Sequence, residues 1–242
     1  MNNIPKIFIG TSPNGEDYII EAIYEYTLRL NSSTDLEITW MRQSNNKGSI
    51  FYNWNTRLWS TPFSGFRWAV AEANNFEGKA IYTDVDMINF CDINELFNLN
   101  LNGKPFGARQ GSRFGEYELC VMLIDCESCK ELIPLAKKYK RKKSAHFEFR
   151  KKFCNSNLIT PIENSWNCFD GEEMEINEIK QLHFTNMPTQ PWKPKWYTGE
   201  TEEHPRKDIL DLYQNYLDNE EVKAIIRNKE MPKPIKYKIL GK

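Results

Sequence analysis

Two aspartates one residue apart close an apolar stretch, Ala80-Ile81-Tyr82-Thr83-Asp84-Val85-Asp86-Met87-Ile88. In an extended backbone, side chains at i and i+2 share a face, so both carboxylates can reach a single divalent cation. Hard oxygen donors suit Mg²⁺ or Mn²⁺, and a cation held this way commonly binds a substrate diphosphate. Asp is also frequent at turns, so the pair alone supports a plain strand end equally well. Cys126-Glu127-Ser128-Cys129 has zinc-ligand spacing. It lacks a second C-x-x-C or H-x-x-x-H and reads as two thiols near a helix start.

The elements that must position the aspartates follow from periodicity. Lys6-Ile7-Phe8-Ile9-Gly10-Thr11-Ser12 reads as a buried strand running into the polar turn Pro13 to Asp17. Tyr18, Ile19, Ala22, Ile23, Tyr26 and Leu30 recur at helical spacing until Asn31-Ser32-Ser33, and Leu36 to Trp40 alternates as a second strand. Strand, helix, strand in this order predicts a parallel α/β sheet, where ligands bind beyond the carboxyl ends of the strands. Residues Asn45 to Ser60 read as a loop on that side. Phe66 to Phe76 is predicted helical and feeds the strand Ala80 to Thr83, while Asp92 can cap a short turn containing Glu95. Further strands are expected at Gly107 to Arg109 and Leu119 to Asp125. Helices are expected over Cys129 to Tyr139, Asp208 to Tyr216 and Glu220 to Arg227, with Pro232-Lys233-Pro234 ending regular structure.

Composition narrows the classes. With 242 residues the chain can bury a sizeable core, and its net charge of −1, from 32 basic and 33 acidic residues, gives no reason to expect nucleic acid. The local run Lys137-Lys138-Tyr139-Lys140-Arg141-Lys142-Lys143 reads as a solvated helix end, or as a peripheral contact with an acidic acceptor or membrane surface. There are 7 Trp, 11 Tyr and 14 Phe, and for Trp40, Trp54, Trp59 and Trp68 core packing is favoured over service as sugar platforms. No stretch of about 18 apolar residues suggests a membrane span, and Met1-Asn2-Asn3-Ile4-Pro5-Lys6 has no leader-like apolar region. The six scattered cysteines fit reduced thiols, so a cytoplasmic location is expected.

The order of these landmarks resembles glycosyltransferase family 8, which includes glycogenin and the bacterial lipopolysaccharide galactosyltransferases. The likeness runs from Lys6 to Trp192. Its strongest part is Lys79 to Ile88 followed by Asp92-Ile93-Asn94-Glu95-Leu96-Phe97, similar to the family's D-x-D strand and the D-L-x-E-L-F segment behind it. Phe66-Arg67, Trp166-Asn167 and His183-Phe184-Thr185-Asn186 with Pro191-Trp192 match further family segments. The resemblance implies an α/β fold, a single GT-A domain over residues 1–242. It has a mixed, mostly parallel sheet flanked by helices, a Rossmann-like nucleotide-binding half, and residues 199–242 as a C-terminal helical extension.

The same resemblance implies roles. Asp84, Asp86 and His183 would hold Mn²⁺ (or Mg²⁺), with imidazole and carboxylate together favouring Mn²⁺. Tyr18 would stack on uracil, Thr11 would approach the nucleoside and Arg67 would balance diphosphate charge. Asn186 replaces the motif's glycine. Gln190 occupies the place of its diphosphate-binding lysine, leaving Lys193 or Lys195 as the substitute. Glu118-Leu119-Cys120 stands where the family has N-S-G, and Glu148 falls near its D-Q-D segment, making Glu118 and Glu148 candidates beside the anomeric carbon. His146 and His204 fall outside every motif.

The implied activity is metal-dependent, retaining transfer of a hexose from a UDP-sugar donor to a glycan or other hydroxyl acceptor. Two alternatives stay open: a haloacid-dehalogenase-like phosphohydrolase, whose nucleophile motif is also a strand-end Asp-x-Asp, and a catalytically silent nucleotide-sugar-binding protein of the same fold.

Overall fold

The computed structural model describes residues 4–112 and 115–240; residues 1–3, read above for lack of a leader, lie outside them. The main sheet has six strands in the order β2-β1-β3-β6-β5-β7. They are β1 (Lys6–Gly10), β2 (Glu37–Met41), β3 (Lys79–Asp84), β5 (Phe106–Ser112), β6 (Gly115–Asp125) and β7 (Ile159–Ile162). All run one way except β6, which pairs antiparallel with both β3 and β5. A second sheet, in the order β4-β9-β8, is built from β4 (Met87–Asn89), β8 (Cys168–Phe169) and β9 (Gln181–His183). This is the mixed, mostly parallel α/β architecture expected from the sequence.

Strand β3 lies between β1 and β6, and Ala80, Ile81, Tyr82 and Thr83 are all buried, as a central strand covered on both faces requires. Edge strand β2 alternates exposed and partly buried positions. Helix α1 (Tyr18–Asn31) buries Ile20, Ile23, Tyr24, Thr27 and Leu28. Near its end, the Thr27 hydroxyl accepts the Asn89 N–H at 3.2 Å, and the Asn31 amide donates to the Asn89 carbonyl at 3.0 Å. One helix thereby holds the far end of β4, three residues after the aspartate pair.

Two expected helices are broken. Phe66–Ala69 is a 3₁₀ turn leading into the single turn α2 (Val70–Ala73), which stops where Asn75 and Phe76 take positive φ. Helix α3 (Ile93–Phe97) forms as expected, with the Asp92 carboxylate accepting the Asn94 N–H. The segment from Cys129 divides into α4 (Cys129–Leu132) and α5 (Ala136–Tyr139), because Ile133, held extended before Pro134, cannot continue the helix. Helix α6 (Ala145–Phe153) follows, unanticipated from the sequence. Helices α7 (Lys207–Asp218) and α8 (Glu220–Asn228) form near their expected limits and pack against α1.

The loop before α2 carries no regular strand or helix, yet it is held by aromatic packing. The Phe66 ring lies 5.2 Å from Phe51 and 5.3 Å from both Trp54 and Trp59, each edge-on. Trp54, Trp59 and Trp68 are buried, so these tryptophans are core. Each contributes roughly 2–3 kcal/mol of burial. At Gly65 a β-carbon would stand 2.1 Å from the Trp59 ring, so only glycine admits this approach. No helix among the described residues is long and apolar enough to cross a membrane.

Candidate active site

The chain leaves the main sheet at Asp84 and enters the small one at Met87, so the aspartate pair spans the junction of the two sheets. Antiparallel β6 pairs Thr83 with Val121, and the next position on that register sets Cys120 across from Asp84. On the other side His183 pairs with Met87, one residue after Asp86. Donor atoms of Asp84, Cys120 and His183 lie within 4.8 Å of one another, and Asp86 Oδ1 is 3.4 Å from His183 Nε2.

Second contacts orient these groups. His183 Nδ1 is 2.9 Å from the Asn167 Oδ1. An amide oxygen only accepts, so Nδ1 carries the proton and Nε2 faces the aspartates. Burial lowers the imidazole pKa, but the Asp86 and Asp84 carboxylates outweigh it and hold the group above its ordinary value. A proton and a cation would therefore compete for Nε2. Beyond the 3.4 Å approach of His183 Nε2, Asp86 Oδ1 is buried with no hydrogen-bond partner among the described residues, an arrangement that costs about 1–3 kcal/mol. Ligation would remove that cost, and carboxylates with an oriented imidazole are a donor set for Mn²⁺ or a related divalent cation.

Arg67 and Asp84 form a buried pair, with Arg67 Nη2 at 3.1 Å from Oδ1. Arg67 also donates Nε to the Ser64 carbonyl at 2.8 Å and Nη1 to the Leu119 carbonyl. It lines the cleft, but each of its nitrogens already has a partner inside the protein, so its first role is to hold Asp84. The Tyr82 hydroxyl donates to the same carboxylate.

Around the junction lies a cleft of about 300 Å³, walled by Ser60, Thr61 and Ser64, by His146 and Arg150 of α6, and by Trp196. Glu118 lines it too, 3.7 Å from Arg150 Nη2. His146 accepts the Trp68 indole N–H on Nδ1 at 3.0 Å, which leaves the ring proton on Nε2. Burial, with Arg67 and Arg150 nearby, holds its pKa well below the usual histidine value, making it a neutral donor. His146 and Arg150 were not singled out from the sequence. The signal was the apolar spacing Ala145, Phe149, Phe153, which seats a helix and leaves His146 and Arg150, also four apart, on a shared neighbouring face.

Four sequence-derived candidates lie elsewhere. Glu148 is two residues from His146 and so on another side of α6, exposed and bound by Lys142 at 2.7 Å and Ser144 at 2.8 Å. Lys193 turns its ammonium into the carbonyls of Met187, Pro188 and Gln190. Gln190 reaches Asp86 Oδ2 at 3.4 Å. Thr11 is buried, with its hydroxyl donated to Glu21 and its N–H to the Met41 carbonyl, so both of its donors are spent inside the protein. Tyr18 opens α1 partly exposed, outside the cleft lining.

Asp17, in the turn after β1, is buried and accepts the Ser12 N–H at 3.0 Å. Burial pushes its carboxyl up to about 7. The folded protein keeps this proton to about pH 7, whereas the unfolded chain releases it near the ordinary 3.8. Stability from this group is therefore full below about pH 4 and declines as pH rises to about 7. Asp17→Asn is expected to abolish that decline. After allowance for relaxation, the two proteins should diverge by about 2 kcal/mol between about pH 4 and pH 8, read as thermal melts. An unchanged slope in the variant would assign it to another group.

The fold is that of the GT-A glycosyltransferases. The bifunctional glycosyltransferase WbbM superposes with a TM-score of 0.61 at 11% identity, over 95% of this chain and 52% of WbbM. GlyE of Streptococcus pneumoniae gives 0.60 at 15% identity, over 93% of this chain and 63% of GlyE. An active-site mutant of LgtC gives 0.60 at 11% identity, over 87% of this chain and 94% of LgtC. In sequence, 95 residues are 30% identical to Protein CDI of Arabidopsis thaliana, over 39% of this chain and 36% of that protein. The chain therefore spans about a third of CDI and between half and two thirds of WbbM and GlyE. No family model matches it.

Proposed function

We propose that this protein is a metal-dependent, retaining glycosyltransferase of the family 8 type, moving a hexose from a UDP-sugar to a glycan or other hydroxyl acceptor. The observation that carries the reading is the meeting of Asp84, Asp86 and His183 at the junction of two sheets, inside a cleft of a GT-A fold. LgtC, of this fold, has been crystallised with donor and acceptor sugar analogues. A bound Mn²⁺ or related cation would supply Lewis-acid stabilisation for the leaving diphosphate. The residues of the chain do the rest. Asn167 aims His183, Arg67 holds Asp84, and the neutral His146 N–H offers a donor that needs no counter-charge. Glu118 offers negative charge beside an oxocarbenium-like centre.

The silent-binding alternative gains from one observation, the engagement of the Lys193 ammonium by the Met187, Pro188 and Gln190 carbonyls, which occupies a residue proposed to replace the motif's lysine. The two readings separate in one assay: UDP release from a panel of UDP-sugars, with Mn²⁺ present or chelated. Cation-dependent turnover lost in His183→Ala, on the order of 100- to 1,000-fold, is expected. Nucleotide binding with no turnover on any donor or acceptor would favour the silent protein.

A further inference from the structure

Cys120 sits in the cleft wall, half-buried, and its sulfur is one of the three donors that converge within 4.8 Å. The convergence is built by pairing rather than by a loop. Strand β6 sets Cys120 beside Asp84 on the main sheet, and β9 brings His183 from the small one. The orphaned Asp86 Oδ1 lies 3.4 Å from that imidazole. Donors of a tetrahedral site sit about 3.5 Å apart, so these side chains close on one ion by shifts of about an ångström.

Resting on the metal-dependent reading above, we infer that Cys120 is a further protein ligand of the cation, and that its thiolate tunes the site toward a thiophilic ion such as Zn²⁺ or Co²⁺ over Mg²⁺. Thiolate and imidazole favour borderline metals, whereas carboxylates alone favour Mg²⁺ or Mn²⁺. On binding, the S–H bond breaks, its proton leaves to solvent, and a sulfur–metal bond forms without change of oxidation state. Charge balances as well. Two carboxylates and a thiolate face a dication, with the Arg67 guanidinium bound to Asp84 supplying the remaining positive charge.

The test uses the intact reduced protein. Anaerobic titration with Co²⁺ is read by thiolate-to-cobalt charge-transfer absorbance, and maleimide labelling is mapped by mass spectrometry with and without Zn²⁺. The expected result is a band saturating at one Co²⁺ per chain and absent in Cys120→Ser and Cys120→Ala, which bind Zn²⁺ about 10- to 100-fold more weakly. In the wild type, Zn²⁺ should protect Cys120 from labelling but not Cys91, the other half-exposed thiol. The labelling arm needs no variant, so it stands even where a substitution unfolds the chain. Co²⁺ bound without the band, or labelling of Cys120 indifferent to Zn²⁺, overturns the ligand assignment and leaves the glycosyltransferase reading intact. Absence of any cation binding overturns both.

Discussion

Asp86→Asn is expected to leave the cation-free protein as stable as the wild type while removing most of the cation-dependent turnover proposed above. Among the described residues the carboxylate Oδ1 is buried with no hydrogen-bond partner, and Oδ2 accepts the long 3.4 Å contact from Gln190. Asp84 stands close by in the chain with its own charge. Removing one negative charge relieves that repulsion and loses only the 3.4 Å approach to His183. These terms oppose each other, so the change in stability should stay within about 1 kcal/mol. The proposed transfer has no such compensation, because an amide is a poor ligand and the positive charge it fails to hold is the one a leaving diphosphate would need. A loss on the order of 100- to 1,000-fold in turnover follows. Thermal melts in chelator, repeated with Mn²⁺, separate the two effects: the cation should raise the wild-type melting temperature and leave the variant's nearly unchanged. A variant melting many degrees lower in chelator would make Asp86 a structural residue and sink this account.

Legibility from the sequence followed the range of the interaction. Strand β3 and the aspartate pair were readable because a buried central strand is a continuous apolar run and the i, i+2 rule is local. The α1 and α3 starts, and the later α7 and α8, were readable for the same reason. Arg67 was picked because Phe66-Arg67 resembles a family segment, and of its partners Ser64, Leu119 and Asp84 the last two come from separate strands that no local spacing brings together. Cys120 was hidden as a ligand because its relation to Asp84 exists only in the antiparallel register of β3 with β6, strands separated in sequence by β4, α3 and β5. Helix α6 was masked by the basic run before it. Glu148, placed by the resemblance near the D-Q-D segment, lies on the same helix as the cleft-lining His146 but on another side, since two residues along a helix is a large rotation about its axis. The Cys129 to Tyr139 segment failed for a readable reason: Pro134 stood in the middle of it.

Arg67→Met should be among the most destabilising single substitutions in the chain, at about 3–5 kcal/mol. Arg67 is 7% exposed, and Asp84 is buried with it. Its loss leaves a buried carboxylate without its cation, the condition that costs this much in other proteins. The carbonyls of Ser64 and Leu119 lose a donor at the same time. The guanidinium also lies over the Tyr82 ring, 4.9 Å from its centre, so packing is lost along with charge. At roughly 2–4 °C per kcal/mol for a chain of this size, the melting temperature should fall by about 10 °C. Arg67→Lys should recover less than half of that, since one ammonium cannot reproduce a fork that binds two carbonyls and a carboxylate. The informative control is a divalent cation. If Asp84 is a metal ligand, bound Zn²⁺ or Mn²⁺ supplies the positive charge that the variant lacks, and the gap from wild type should narrow in its presence and reopen in chelator. A gap that ignores the cation would place Asp84 in the fold's architecture alone, with Asp86 and His183 left to bind metal without it.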